Sequence, residues 1–106
     1  MAFAMAAYDI EIADLAVEEL KGIRVNDRRR VVDAIRNQLT HQPTVTTRNR
    51  KRLESAVPEF EHTPPVWELR VGEYRVFYDV DETGQVVYVR AVRRKQPGQT
   101  TEDIIA

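Results

Sequence analysis

The chain contains no cysteine and only two histidines, His41 and His62. Without cysteine it cannot form a disulfide framework or a cysteine-ligated zinc site, and it fits a reducing compartment, so we expect a cytoplasmic protein. The two histidines fall in segments read as ordinary loops, with no nucleophile or carboxylate placed beside either. We therefore expect neither a metal centre nor a cofactor.

Long apolar runs are also missing, so no membrane association is expected. The formal net charge of −1 gives no global attraction to nucleic acid. Basic residues nevertheless gather at 28–30, 48–52 and 93–95, which permits a local basic surface. The 106 residues, 42% hydrophobic and 31% charged, predict a single globular domain, 1–106.

Apolar and polar residues alternate through most of the stretch from Val66 to Arg93. A period of two predicts strands with one buried face, here three strands joined by two tight turns. Gly72-Glu73 suits a two-residue type II′ turn, which fixes a register with Arg70 opposite Arg75. The second turn is predicted within residues 81–85.

This register separates an apolar face from a polar face. The apolar face comprises Trp67, Leu69, Val71, Tyr74, Val76, Tyr78, Val87, Val89 and Ala91, and the polar face Glu68, Arg70, Arg75, Phe77, Asp79, Tyr88, Arg90 and Val92. With a four-residue second loop Arg90 lies opposite Arg75, and with a two-residue loop it lies opposite Phe77. Like charges directly opposite cost up to about 1 kcal/mol per pair. A phosphate site would explain the arginines, whereas a solvated network neutralised by Glu68 and Asp79 is the alternative.

The remaining elements follow from helical spacing and end signals. A short strand is predicted over 8–12 and a first helix over about 13–21. A second helix, capped by Asn26 or Asp27, is expected to run to about Leu39. Residues 40–65 show no sustained period and contain the basic run 48–52.

A last turn is predicted over 102–105, capped by Thr100 or Thr101. The order β-α-α-β-β-β predicts an α+β fold, with a twisted, mainly antiparallel four-stranded sheet and a helix pair on one face. The helices would cover the apolar face. The polar face would be open, or shielded only by the tail.

The chain has no glycine-rich phosphate loop, no HExxH motif, no nucleophile beside a histidine and no paired carboxylates. An arginine cluster can still hold a phosphodiester and stabilise the charge that develops when a ribose 2′-hydroxyl attacks it. Phe77 or Tyr88 would be placed to stack on a base. Candidate proton donors and acceptors are Lys51, Glu68, Tyr88 and Lys95.

Three stretches carry a family resemblance: the basic run ending RKRL, the stretch WELRVGEYRVFYDVD, and VVYVRAVRRK. Placed after a strand-helix-helix opening, they resemble the RelE/ParE superfamily of small bacterial toxins. The resemblance implies a toxin neutralised by a cognate antitoxin. It also implies one of two targets, because the RelE branch cleaves messenger RNA in the ribosomal A site without a metal and the ParE branch acts on DNA gyrase.

The resemblance also implies roles for individual residues. Arg75 matches the arginine that holds the scissile phosphate, Arg70 a basic strand residue that contacts RNA, and Lys95 or Arg94 the last basic position. The predicted catalytic residues are thus Arg75, Arg70 and Lys95. The predicted substrate contacts are Lys51, Arg50, Arg90, Arg94 and Tyr88.

The chain departs from the family where proton transfer is concerned. RelE-type nucleases place a tyrosine or histidine in or after the last strand, and RRKQPGQTTEDIIA has neither. The YoeB type uses a loop glutamate and a C-terminal histidine, whereas here the loop has Lys51 and no histidine follows His62.

The leading hypothesis is a metal-independent, ribosome-dependent messenger RNA endoribonuclease that inhibits translation. The alternatives are a ParE-like gyrase inhibitor that cleaves nothing, or a degenerate member that only binds its antitoxin. All three predict an antitoxin partner, with a segment that lies across the helices or the arginine face. A segment over the arginines is expected to be acidic.

Overall fold

The computed structural model describes residues 7–106. Its elements are β1 (Asp9–Ile12), α1 (Asp14–Lys21), α2 (Val25–Leu39), β2 (Arg50–Arg52), β3 (Trp67–Val71), β4 (Tyr74–Asp81), β5 (Val86–Arg94) and α3 (Thr101–Ile104). The strands form one sheet in the order β1-β5-β4-β3-β2, with β1 parallel to β5 and the other pairs antiparallel. The α+β class is confirmed. Four strands were one too few, because β2 in the basic run adds to the edge of β3.

The β3–β4 hairpin has the predicted register, with Val71 opposite Tyr74 and Arg70 opposite Arg75. Gly72 adopts a φ of +58°, whereas Glu73 keeps a negative φ. A positive φ at the first central residue alone is the signature of a type II′ turn, which glycine adopts without steric cost. The predicted turn is therefore confirmed.

The β4–β5 pairing contains an irregularity that the alternation does not reveal. Tyr78 lies opposite Val89, whereas Phe77 lies opposite Ala91, so Arg90 is an extra residue in β5. Such a bulge reverses the faces of the residues beyond it. The faces predicted for Ala91 and Val92 were wrong, and so was the position of Arg90 opposite Arg75 or Phe77.

Both helices pack on the predicted apolar face. The buried residues of this core are Ala16, Leu20, Val31, Ile35, Leu39, Trp67, Leu69, Val71, Tyr74, Val76, Tyr78, Val87, Val89 and Val92. Arg28 links the two helices, because its Nε donates to the carbonyl of Leu20 at 2.8 Å near the end of α1. The predicted cap of α2 was wrong: the helix already begins at Val25, and the Asp27 carboxylate accepts a hydrogen bond from Tyr74 Oη at 3.0 Å.

A second apolar cluster covers part of the polar face. It comprises Phe60, Val66, Phe77, Ala91, Ile104 and Ile105. The tail is fixed here by α3, where Thr100 and Asp103 form a reciprocal capping box, as one of the two predicted caps allows. Because Phe77 is fully buried in this cluster, it cannot stack on a nucleic-acid base as predicted.

The outer edge of β5 is covered by two different means. Strand β1 pairs with its first half, ending at Ile12 opposite Val89. Beyond that point the Glu19 carboxylate of α1 accepts a hydrogen bond from the Val92 backbone N–H at 3.0 Å. No helix in the described range, 7–106, is long and apolar enough to cross a membrane.

Candidate functional site

Basic side chains from several elements meet around a cavity of about 250 Å³ on the polar face, beside the β3–β4 turn. The cavity is lined by Arg48, Asn49, Lys51, Glu68, Arg70, Arg75, Lys95 and Thr101. We call the five cations among them, Arg48, Lys51, Arg70, Arg75 and Lys95, the basic cluster. Five cations around one carboxylate leave a local excess of four positive charges on a protein whose overall charge is close to neutral.

Glu68 lies at the centre of this cluster. The strand register places it between Lys51 of β2 and Phe77 of β4, and its side chain is only 4% exposed. Its Oε1 is 3.4 Å from Arg75 Nε and its Oε2 is 3.5 Å from Lys51 Nζ. A buried carboxylate is tolerated only when charges or hydrogen bonds compensate it, and here two cations from the neighbouring strands do so.

Arg75 is held from several sides. Its Nη1 donates to the carbonyl oxygens of Gly72 at 2.8 Å and Tyr74 at 2.9 Å, and its side chain is 12% exposed. Burial lowers the pKa of Arg75, the Glu68 carboxylate opposes this by raising it, and the adjacent Arg70 lowers it further. The guanidinium is therefore held in one orientation by two carbonyl oxygens and the Glu68 carboxylate.

Arg48, Arg70 and Lys95 are the cations of this cavity most available to a ligand. Arg48 and Arg70 are exposed and Lys95 is half-buried. None of the three has a carboxylate within ion-pair distance in the described part of the chain. The main chains of Arg70 and Lys95 are fixed, since the Arg70 N–H donates to Asn49 and the Lys95 N–H donates to Glu73, at 2.8 and 2.7 Å.

The sequence family described as ParE toxin of type II toxin–antitoxin system, parDE, matches residues 10–96. The chain belongs to this family. The match includes α1, α2, the strands β2 to β5, all of β1 except its first residue, and every residue of the basic cluster, so the predicted RelE/ParE resemblance is confirmed. No curated protein matches the sequence of this ParE-family toxin.

The solved structures that share the fold of the toxin include two toxin–antitoxin complexes. The toxin–antitoxin complex RelBE2 from Mycobacterium tuberculosis matches with a TM-score of 0.66 and 20% identity, over 84% of this chain and 99% of that one. The archaeal RelE–RelB complex from Pyrococcus horikoshii OT3 matches with a TM-score of 0.67 and 20% identity, over 87% and 99%. At this identity the likeness establishes the RelE-like fold.

The structure of the toxin brings four of the predicted site residues together: Arg70, Arg75, Lys95 and Lys51. Two others lie away from the cavity. Arg50 is buried, and its guanidinium donates to the carbonyl of Gln38 near the end of α2. Arg94 lies opposite Tyr74, and its Nε donates to Glu73 at 2.9 Å.

Arg90 and Tyr88 line a different cavity, of about 850 Å³, at the opposite end of the sheet. The Arg90 guanidinium lies 4.8 Å from the centre of the Tyr88 ring and donates to Asp79 through Nε at 2.8 Å and Nη2 at 3.1 Å. The hydrogen bond to Asp79 raises the pKa of Arg90 despite its burial. This arginine is thus locked into the fold and stands apart from the basic cluster.

Sequence reasoning missed three residues that line the site: Arg48, Asn49 and Thr101. Arg48 and Asn49 belong to the basic run 48–52, for which the sequence left two alternatives open, a solvated loop or a phosphate-attracting segment beside the sheet. The strand within this run was not predicted, because three residues leave no measurable period. Sequence reasoning also did not anticipate Arg93, which lies opposite Arg75 but turns away to pair with Glu19 and to donate to the Ile104 carbonyl at 2.8 Å.

Proposed function

We propose that this ParE-family toxin inhibits DNA gyrase by binding it, without cleaving nucleic acid, and that a cognate antitoxin neutralises it. The observation that carries the proposal is the chemistry of the cavity. Metal-independent cleavage through a 2′-hydroxyl benefits from a group that removes a proton and one that supplies it. The described residues lining the cavity include neither a histidine nor a tyrosine, and their carboxylate, Glu68, is held between two cations.

The arrangement of Arg75 supports the same conclusion. Two main-chain carbonyls and Glu68 surround its guanidinium, which leaves little of it for a scissile phosphate. Arg70 and Lys95 remain available, and such exposed cations suit an acidic surface on a protein partner. The family match, which is to ParE toxins, supports gyrase as that partner.

An antitoxin partner has separate support. The two structural relatives described above are toxin–antitoxin complexes. The basic cluster, with its local excess of four positive charges, would attract an acidic segment. We expect an acidic segment of the antitoxin to lie over Arg70 and Lys95 and to become ordered when it binds.

A second candidate is the ribosome-dependent messenger RNA endoribonuclease. It is favoured by one observation: Arg70, Arg75 and Lys95, the residues predicted to be catalytic, converge on one cavity. Such a cluster could stabilise a phosphorane-like transition state by charge alone. In that case Lys51 or Lys95, which line the cavity, would supply the proton, and the missing proton acceptor would have to be replaced by solvent or by the ribosome.

Two assays on the purified toxin separate the candidates. We expect inhibition of gyrase-driven supercoiling, reversed by the antitoxin, and intact messenger RNA in a cell-free translation reaction. Arg70→Gln should weaken gyrase inhibition, whereas Arg94→Gln should not, because Arg94 lies outside the cluster. Cleaved messenger RNA with unaffected supercoiling would replace this proposal with the nuclease. Inactivity in both assays, with antitoxin binding retained, would indicate a degenerate toxin.

A further inference from the structure

We propose that Glu68 is a specificity-determining residue that keeps nucleic acid out of the basic cluster. It does so as an internal counter-ion that holds Arg75 and Lys51, so that only Arg48, Arg70 and Lys95 remain for a ligand. This inference rests on the proposed function, in which the cluster binds an acidic protein surface and does not act on RNA.

The position of Glu68 is set by the main chain and not by a flexible side chain. It lies mid-strand in β3, with the edge strand β2 on one side and β4 on the other. Only 4% of its side chain is exposed, whereas 63% of the Lys51 side chain is. The carboxylate is thus anchored in the floor of the cavity, and Lys51 bends over it from the rim.

A fixed carboxylate in the cavity hinders the binding of nucleic acid more than the binding of an acidic protein surface. Nucleic acid binds cationic proteins by placing many phosphates against many cations, and each neutralised phosphate releases counterions. Here two of the five cations already have a fixed anionic partner, at 3.4 and 3.5 Å. A phosphate backbone approaching them must displace Glu68 or lie against its negative charge.

A protein carboxylate faces a smaller penalty, because it needs only one or two cations at a time. Arg70 and Lys95 offer such a contact, because neither forms an ion pair with Glu68. The cavity therefore favours a sparse acidic surface over a continuous polyanion. The arginines alone resemble a phosphate site. With Glu68 among them, the cavity favours an acidic protein surface over nucleic acid.

The same hairpin provides a matched control. Glu73 is also a glutamate next to an arginine, since its Oε2 accepts from Arg94 Nε at 2.9 Å. It is 45% exposed and does not line the cavity. Replacing either glutamate by glutamine changes the net charge equally, so any difference between the two variants reports the position of the charge.

The test is fluorescence anisotropy with a short labelled single-stranded oligoribonucleotide at several salt concentrations. We expect weak binding by the wild type and about tenfold tighter binding by Glu68→Gln. A plot of the logarithm of the association constant against the logarithm of the salt concentration should become steeper by about 1.4. Each cation that contacts a single strand contributes about 0.7 to this slope, and the change frees two cations, Arg75 and Lys51. Glu73→Gln should change the affinity by less than about twofold. Equal effects of the two variants, or no effect of either, would overturn the inference.

A second pair of variants applies if Glu68→Gln does not fold. In the wild-type background we expect Arg70→Gln to weaken the residual RNA binding more than Lys51→Gln does, because Lys51 is already paired with Glu68. The reverse order would overturn the inference.

The RNA is also run on a gel after incubation with the toxin and ribosomes. Cleavage by the wild type that is lost in Glu68→Gln would identify Glu68 as a proton acceptor, and both proposals would then be wrong. Unaffected supercoiling together with the expected RNA affinities would overturn the gyrase proposal and leave the role of Glu68 intact.

Discussion

Two buried carboxylates on the same face of the sheet, Asp79 and Glu68, are compensated to different degrees. Asp79 accepts hydrogen bonds from Arg90 at 2.8 and 3.1 Å and from the Thr63 N–H at 3.1 Å, with its side chain 3% exposed. Glu68 is equally buried, but its cations stand 3.4 and 3.5 Å away, beside exposed cations with no carboxylate partner among the described residues. The first arrangement is complete and stabilises the fold. Around Glu68, cations without a carboxylate partner remain, and they mark the end of the sheet that is available for binding.

The strongest test of this comparison is Asp79→Asn. The change leaves the Arg90 guanidinium, only 14% exposed, without its counter-ion. Removing one partner of a buried ion pair costs about 3–5 kcal/mol of unfolding free energy, which urea denaturation would measure. Glu61→Gln is the control, because Glu61 is 93% exposed and 3.8 Å from Arg90. A loss below about 1 kcal/mol would refute the view that Asp79 is structural.

The next test addresses the apolar cluster between the two carboxylates. On β4, Phe77 lies between Arg75 and Asp79 on one face, and Ile104 of α3 packs in the same cluster. Ile104→Ala should lower the unfolding free energy by about 2–4 kcal/mol, because a buried side chain would be replaced by a cavity. Val57→Ala, at a position 79% exposed, should change it little. If both variants are equally stable in urea, the tail is not part of the folded core.

Glu68→Gln should destabilise the protein less than Asp79→Asn. Arg75 keeps its two carbonyl acceptors, and Lys51 is exposed enough to be solvated. We expect a loss of about 1–2 kcal/mol. Equal losses for the two variants, measured in the same urea titration, would remove the contrast between the two ends of the sheet.

The smallest expected effect has the opposite sign. Arg70 and Arg75 are direct partners across the hairpin, and like charges in that position are destabilising. Arg70→Gln should therefore raise the unfolding free energy by about 0.2–1 kcal/mol. Arg94→Gln removes a surface pair and should lower it by about 0–0.5 kcal/mol. A loss of stability in Arg70→Gln would mean that Arg70 stabilises the folded protein despite its position opposite Arg75.

The parts of the fold that the sequence predicted are those that depend on local rules. A glycine in the first turn position fixed the β3–β4 register, and with it the meeting of Arg70 and Arg75. The helices followed from apolar spacing, apart from the start of α2. Arg70 and Arg75 lie within these regular elements and Lys95 directly follows one, so their positions could be predicted.

The features that the sequence did not predict depend on contacts between distant segments of the chain. The bulge at Arg90 could not be read from alternation, since Ala91 and Val92 are both apolar and fit either face. Arg50 and Lys51 are neighbours in a basic run, yet one donates to the end of α2 and the other lines the cavity. The three residues of β2 are too few for alternation to show which side chains lie on which face of the sheet.

The carboxylate of Glu19 has a consequence for assembly. An unpaired strand edge invites a second chain to dock by main-chain hydrogen bonding. On β5 the Val92 N–H is already taken by Glu19, which also forms an ion pair with Arg93. A second chain that pairs with this half of β5 must first displace the Glu19 side chain, so extension of the sheet at this part of β5 is disfavoured.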